Sequence, residues 1–174
     1  MSMKRCGSTF RRSGCNICWR RWTRSSAQSP RLSRVRWMPS PGPPRMARLI
    51  LDSGAIIALA AGHERTRRFL QRAAREHILA AIPAVVIAET TRGGPRDARV
   101  NRVIKAVDEV APITEAVARE AGRLLAATRL ANATIDALVV ATAARREPTI
   151  ILTGDVDDPR ALAAGYRHAR VEGV

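Results

Sequence analysis

Two short aliphatic runs, each closed by a turn that carries an acid, restrict this chain most. Leu49-Ile50-Leu51 stops at Asp52-Ser53-Gly54, and Thr149-Ile150-Ile151-Leu152 stops at Thr153-Gly154-Asp155. A run of three or four aliphatic residues bounded by turn signals reads as a strand buried on both faces. Strands of that kind belong to parallel sheets. A parallel pair cannot be joined by a tight hairpin, so helical crossovers must fill the chain between them.

The intervening sequence supplies those crossovers. Ala55–Ala61 reads as a helix stopped by Gly62, and Glu64–Glu76 as an amphipathic helix with Phe69, Leu70 and Ala73 on one face. Ile78–Ile82 reads as a strand, and Pro83 suits the first turn of a helix carrying Val86, Ile87 and Glu89. Gly93-Gly94-Pro95 ends that helix, and Arg96–Val107 reads as the next. A strand at Val110–Ile113 leads to Thr114, which caps a helix over Glu115–Arg129. Thr134 is expected to cap a helix over Ile135–Arg146, and Asp157-Asp158-Pro159 to open a short one after the strand at 149–152. His168–Val171 reads as a last edge strand. Strands alternating with helices predict an α/β fold: a three-layer α/β/α sandwich around a mostly parallel sheet of four or five strands.

Charge divides the chain near Met46. Residues 1–45 hold 11 of the 30 basic residues and no Asp or Glu, and all three Cys and all three Trp lie there too. The remainder balances 19 basic against 15 acidic residues. The extreme basicity therefore belongs to the N-terminal arm and not to the folding unit. The arm shows neither helical nor strand periodicity. Cys6, Cys15 and Cys18 lack the second couple of a zinc site. No apolar core follows the basic stretch, which excludes a secretory signal. A basic arm for nucleic acid or a transit peptide are the functional readings of this segment. The plainer expectation is an extension outside the fold, disordered or non-native, with Met46 as the natural first residue and 46–174 as the domain. Apolar stretches stay below the roughly 18 residues of a membrane span, and the expected location is cytoplasmic. A chain begun at Met46 should fold and melt as the full chain does. Thermal melts of the two proteins check this, and an unfolded short form refutes the partition.

Four acids stand out against their surroundings. Asp52 and Asp155 follow strands, where ligands of open α/β sheets bind. Glu89 and Asp136 sit inside apolar helical stretches. Carboxylates are seldom buried without a partner, and the folding unit has a single Lys, Lys105. A hard divalent cation is the simplest shared partner, because Mg²⁺ takes oxygen ligands and retains several waters. Each acid also has a plain reading: Asp52 as a helix cap, Asp136 as a charge favoured in a first turn, Asp155 and Asp157 as turn residues, Glu89 on a solvent face.

Leu49-Ile50-Leu51-Asp52-Ser53, Ile82-Pro83-Ala84-Val85-Val86-Ile87-Ala88-Glu89, Asp136-Ala137-Leu138-Val139-Val140 and Leu152-Thr153-Gly154-Asp155-Val156-Asp157-Asp158 together resemble the acidic motifs of PIN-domain nucleases. The size of the folding unit is similar to that of VapC-type toxins of bacterial toxin–antitoxin pairs. The resemblance covers residues 48 to about 172. It implies a metal-dependent endoribonuclease with Mg²⁺ or Mn²⁺, a small antitoxin, an RNA substrate and a homodimer. It also implies that Asp52, Glu89, Asp136 and Asp155 form the site, with Asp157 able to replace Asp155, and with Ser53 and Thr153 beside the metal. Arg65, Arg68, Arg92, Arg96, Arg145 and Arg146 are the candidates to meet the RNA backbone, although an Arg on a helix is commonly only a solvated face.

Other classes fit less well. A haloacid-type phosphotransferase needs a second acid where this chain has Gly54, and a receiver domain needs a late Lys that is absent. A PIN fold that processes RNA without being a toxin, or a non-catalytic acidic pocket that binds phosphoryl groups or metal, remain alternatives.

Overall fold

The computed structural model describes residues 47–144 and 148–174. The N-terminal arm, Met46, Arg145 and Arg146 lie outside the described residues, as does the side chain of Arg96. The elements run β1 (Arg48–Leu51), α1 (Ser53–Ala61), α2 (Glu64–Arg75), β2 (Leu79–Pro83), α3 (Ala84–Thr90), a 3₁₀ turn (Pro95–Asp97), α4 (Ala98–Ile104), β3 (Glu109–Ala111), α5 (Glu115–Thr128), α6 (Thr134–Ala144), β4 (Thr149–Thr153), α7 (Asp157–Ala163) and β5 (Ala169–Gly173).

All strand pairs are parallel, in the order β3-β2-β1-β4-β5. The sheet grows outward in one direction through β2 and β3 and in the other through β4 and β5. Right-handed crossovers then place the two sets of helices on opposite faces. The packing follows this division. α1, α2 and α4 form one layer, and α5, α6 and α7 form the other. α3 touches both α1 and α6. The predicted three-layer α/β/α fold is thus the observed one, with five strands, all of them parallel.

Burial explains the aliphatic runs. Leu49, Ile50 and Leu51 of β1, and Ile151 and Leu152 of β4, are 0–1% exposed because helices cover both faces of the central strands. α6 is enclosed on nearly every side: Ala137, Val139, Val140, Ala141 and Ala143 are fully buried. Its one polar interior residue, Thr142, returns its hydroxyl to the Leu138 carbonyl at 2.8 Å.

Several boundaries differ from expectation for local reasons. Pro83 closes β2 and precedes α3 instead of opening it. The residues before α4 form a tight turn, so the helix begins at Ala98 and not at Arg96. β3 begins earlier, because Asp108 pairs with Ala80 through both its backbone N–H (3.1 Å) and its carboxylate (2.9 Å). Thr134 lies inside the first turn of α6, and the first helical bond is accepted by Ala133, so Thr134 is not the cap. Thr114 does cap α5, its hydroxyl accepting from the Val117 N–H at 3.3 Å.

One contact ties the fold to its carboxyl edge. Gly54 in the first turn of α1 rests directly on Gly154 after β4. A Cβ at Gly54 would lie 2.6 Å from the Gly154 Cα, whereas a Cβ at Gly154 would stand 3.2 Å from the Gly54 Cα. Only two glycines allow the backbones to approach so closely. Gly54→Ala is expected to cost at least about 1–3 kcal/mol, the usual range for overpacking, because backbone and not a flexible side chain must yield. Gly154→Ala should cost less. Urea unfolding of the two variants checks both the magnitude and the order.

Candidate functional site

The chain changes direction across the sheet between β1 and β4, the position where open α/β sheets form a ligand crevice beyond their strand ends. The register pairs Leu51 with Leu152, so Asp52 and Thr153 come next, side by side. The Asp52 N–H continues the ladder to the Leu152 carbonyl at 3.0 Å, and the Asp52 carbonyl accepts the first bond of α1 from Ile56.

The Asp52 side chain does not cap that helix. It is 5% exposed, and its Oδ2 accepts from the Thr153 hydroxyl at 2.7 Å. Thr153 Oγ1 also lies 2.8 Å from the Asp155 carbonyl and accepts the Asp155 N–H at 3.2 Å. The hydroxyl has one proton, and the charged carboxylate is the stronger acceptor for it. The other oxygen, Asp52 Oδ1, is buried without a hydrogen-bond partner among the described residues. So is Glu89 Oε2 on α3. An unpaired buried carboxylate oxygen is costly, and a bound cation would relieve that cost.

Asp136 shows how the acids are arranged. It sits half-buried in the first turn of α6. Its pKa is pushed up to about 6, first by loss of water and then by the negative charges of Asp52, Asp158, Glu89 and Asp155. The other three expected acids, Asp52, Glu89 and Asp155, thus all act on the Asp136 carboxyl. Asp158, in the first turn of α7, joins them and was not singled out beyond its place in the motif. The doublet Asp157-Asp158 shows that one of the pair could turn inward, but a seven-residue helix gives too little periodicity to say which. Asp157 is exposed, and its N–H donates to Asp155 Oδ1 at 3.1 Å. Ser53 opens α1, half-buried beside Asp52 in the chain.

The donor set is all oxygen, and none of these acids takes part in an ion pair among the described residues. That chemistry fits a hard divalent cation. Among the described residues no three Asp, Glu, His or Cys side chains stand close enough together to hold a metal ion. Asp136 feels the other acids through space.

The arginines are distributed differently. Arg65 and Arg68 line a groove of about 540 Å³ with Leu49, Phe69, Ile78 and Ile150, over the amino-terminal half of the strands and away from the acids. Arg68 is also paired with Glu64 at 3.0 Å. Arg92 follows α3 and turns back on it, Nη1 donating to the carbonyls of Ala88 (3.1 Å), Glu89 (2.8 Å) and Thr91 (2.8 Å). The backbone of Arg96 lies in the 3₁₀ turn.

The raised pKa of Asp136 has a definite consequence for stability. The folded state holds this proton more tightly than the unfolded chain, whose value is near 3.8. Its contribution is therefore complete below about pH 4 and is lost as pH rises through about 6. Without divalent cations, Asp136→Asn should melt higher than the parent at neutral pH, and the gap should close as pH falls toward 4. Melting temperatures of both proteins across that range, in chelator, check the sign.

Comparison with known proteins agrees with this architecture. No curated protein matches the chain. Among solved structures it is similar to VapBC2 from Rickettsia felis bound to a DNA fragment from their promoter, at 14% identity and a TM-score of 0.57, over 73% of this chain and 98% of that chain. It is also similar to a toxin-antitoxin complex from Klebsiella pneumoniae, at 20% identity and a TM-score of 0.51, over 70% and 94% of the two chains. At these identities the likeness is one of fold. The sequence itself is matched over residues 49–163 by the family model of the PIN domain, a span that runs from β1 to the end of α7 and takes in every acid of the pocket; the chain belongs to the PIN domain family.

Proposed function

We propose that this chain is a metal-dependent endoribonuclease and the toxin of a type II toxin–antitoxin pair. The observation that supports the reading is the buried Asp52 Oδ1, without a hydrogen-bond partner among the described residues, in a pocket whose carboxylates raise the cost of ionising Asp136. A structural cap or a solvated acid would leave no such oxygen.

Asp52 and Asp136 would be the principal ligands of Mg²⁺ or Mn²⁺, with Glu89 and Asp155 completing the set. Asp158 is placed to assist, and Asp157 stands further out. A bound divalent ion supplies a water of lowered pKa and neutralises charge on the scissile phosphate. The chain's own groups prepare that chemistry. Thr153 holds the Asp52 carboxylate in one orientation. The β1 and β4 ends exclude water from behind it. Asp136 carries a proton at its carboxyl near pH 6 and must release it for the pocket to reach full negative charge. The RNA backbone needs cations at the rim, and Arg92, anchored to the end of α3, supplies one beside Glu89 in the chain.

A partner surface is available on the α1–α4 side. A groove of about 220 Å³ is formed by Leu59–Gly62 at the end of α1 with Arg67, Arg99 and Arg102. Ile57 on the same helix is 56% exposed. Three guanidinium groups next to an apolar helix end suit an antitoxin segment that combines acidic and apolar residues. A homodimer belongs to the same proposal.

The test pairs cleavage with folding. Asp52→Asn and Asp136→Asn should keep their circular dichroism spectra and lose cleavage of a labelled RNA by about 10²–10³-fold or more, the scale of electrostatic transition-state terms. Chelator should silence the parent, and Mg²⁺ or Mn²⁺ should restore it. Variants that melt lower yet cleave fully would return Asp52 to the role of a structural residue. Arrest of growth on expression, relieved by the small protein encoded next to it, separates a toxin from an RNA-processing enzyme.

A further inference from the structure

Glu89 stands one residue from the end of α3, a helix of seven residues. A helix this short has little stability of its own, so the place of the Glu89 carboxylate depends on what holds its last turn. The hydroxyls of Thr90 and Thr91 return to the carbonyls of Val86 (2.8 Å) and Ile87 (2.7 Å), and the Arg92 guanidinium closes over the carbonyls of Ala88 and Glu89. Arg92 in turn begins a turn that contains Gly93, at φ +80°, and Gly94. Two successive glycines have little tendency to stay in one conformation.

One side chain fastens that turn. Asp97 is 8% exposed, and its Oδ2 accepts the N–H groups of Arg92 (2.7 Å), Gly93 (2.7 Å) and Gly94 (3.3 Å). These bonds, that from Arg92 first, hold the Asp97 carboxyl below the usual carboxylate range. Charge-assisted bonds are roughly twice as strong as neutral ones, and here three converge on one oxygen.

We infer that Asp97 is a positioning residue for Glu89: by drawing three consecutive N–H groups onto one oxygen it sets where α3 ends, and through the Arg92 guanidinium it holds the Glu89 carboxylate at the acidic pocket. This rests on the reading of that pocket as a cation site. Asp97 itself is consumed by the turn and offers the cation nothing directly.

The test is the affinity for Mn²⁺ alone, by calorimetry, of the full chain and of Asp97→Ala, Asp97→Asn, Glu89→Gln and the two double variants, below every melting transition. Asp97→Ala should weaken Mn²⁺ binding by about 10–100-fold, the usual cost of losing a group that orients a ligand. Asn, which keeps one acceptor oxygen, should recover part of the loss. In the Glu89→Gln background, changing Asp97 should cost nothing more. A folded Asp97→Ala that melts lower but binds Mn²⁺ as the parent does overturns the inference, because a merely structural residue behaves that way. Equal further losses with and without Glu89 overturn it as well, since Asp97 would then act by another route. If Asp97→Ala fails to fold, the Asn variant decides: parental affinity overturns the inference, and a loss confined to the Glu89 background supports it. A wild-type chain that binds no Mn²⁺ overturns the cation-site reading and this inference with it. Binding by the wild type with no change in the variants overturns the inference alone.

Discussion

Electrostatic repulsion at the fork between β1 and β4 is the condition that the rest of this structure serves. Removing a carboxylate from water is unfavourable, and doing so beside several others compounds the cost. The chain accepts that cost at Asp52 and Asp136 and offsets it in the aliphatic strands and in α6, which are among the most buried elements of the molecule. The rigidity of those elements holds Asp52 in its buried place, whereas Asp155 faces solvent. The Gly54–Gly154 contact has the same purpose, since it removes the space into which the strand ends would otherwise spread.

The edge of the sheet and the surface of the helices divide the electrostatic work. Negative charge accumulates where β1, β4, α3, α6 and α7 meet. Arginines are spread over α2, α4, α5, α7 and the turn after α3, where Arg68 is tied to Glu64, Arg72 to Glu76 and Arg92 to backbone carbonyls. No Lys or Arg pairs with the pocket acids among the described residues. A pocket neutralised by its own guanidinium groups would have nothing left to offer a mobile cation.

Much of the architecture was readable from residue type and period. Leu49–Leu51 and Ile150–Leu152 read as buried parallel strands because they are too short for helices and are bounded by polar turns. Asp52, Glu89, Asp136 and Asp155 were visible as acids out of keeping with their neighbours. What escaped the sequence depends on contacts between distant parts of the chain. Gly54 and Gly154 each look like an ordinary turn glycine until the fold presses them together. Asp158 and Asp157 are indistinguishable before α7 has an orientation. Thr134 has the composition of a cap, yet Ala133 holds that position. Arg92 reads as a candidate for the RNA backbone or as a solvated cation, and nothing in the sequence marks Asp97. Their link is a pattern of backbone bonds, which side-chain periodicity does not encode.

The hydrogen bond from Thr153 to Asp52 spans 101 residues of sequence, and this separation has a consequence for synthesis. A ribosome makes β1, Asp52 and Glu89 well before β4, the strand that must lie beside β1. Long-range parallel pairing is also the slow kind. A nascent or truncated chain therefore carries half of an acidic pocket and no means of closing it. The acidic pocket can be assembled only once β4 is made, well after β1, Asp52 and Glu89. The order of the elements along the chain thus delays the pocket.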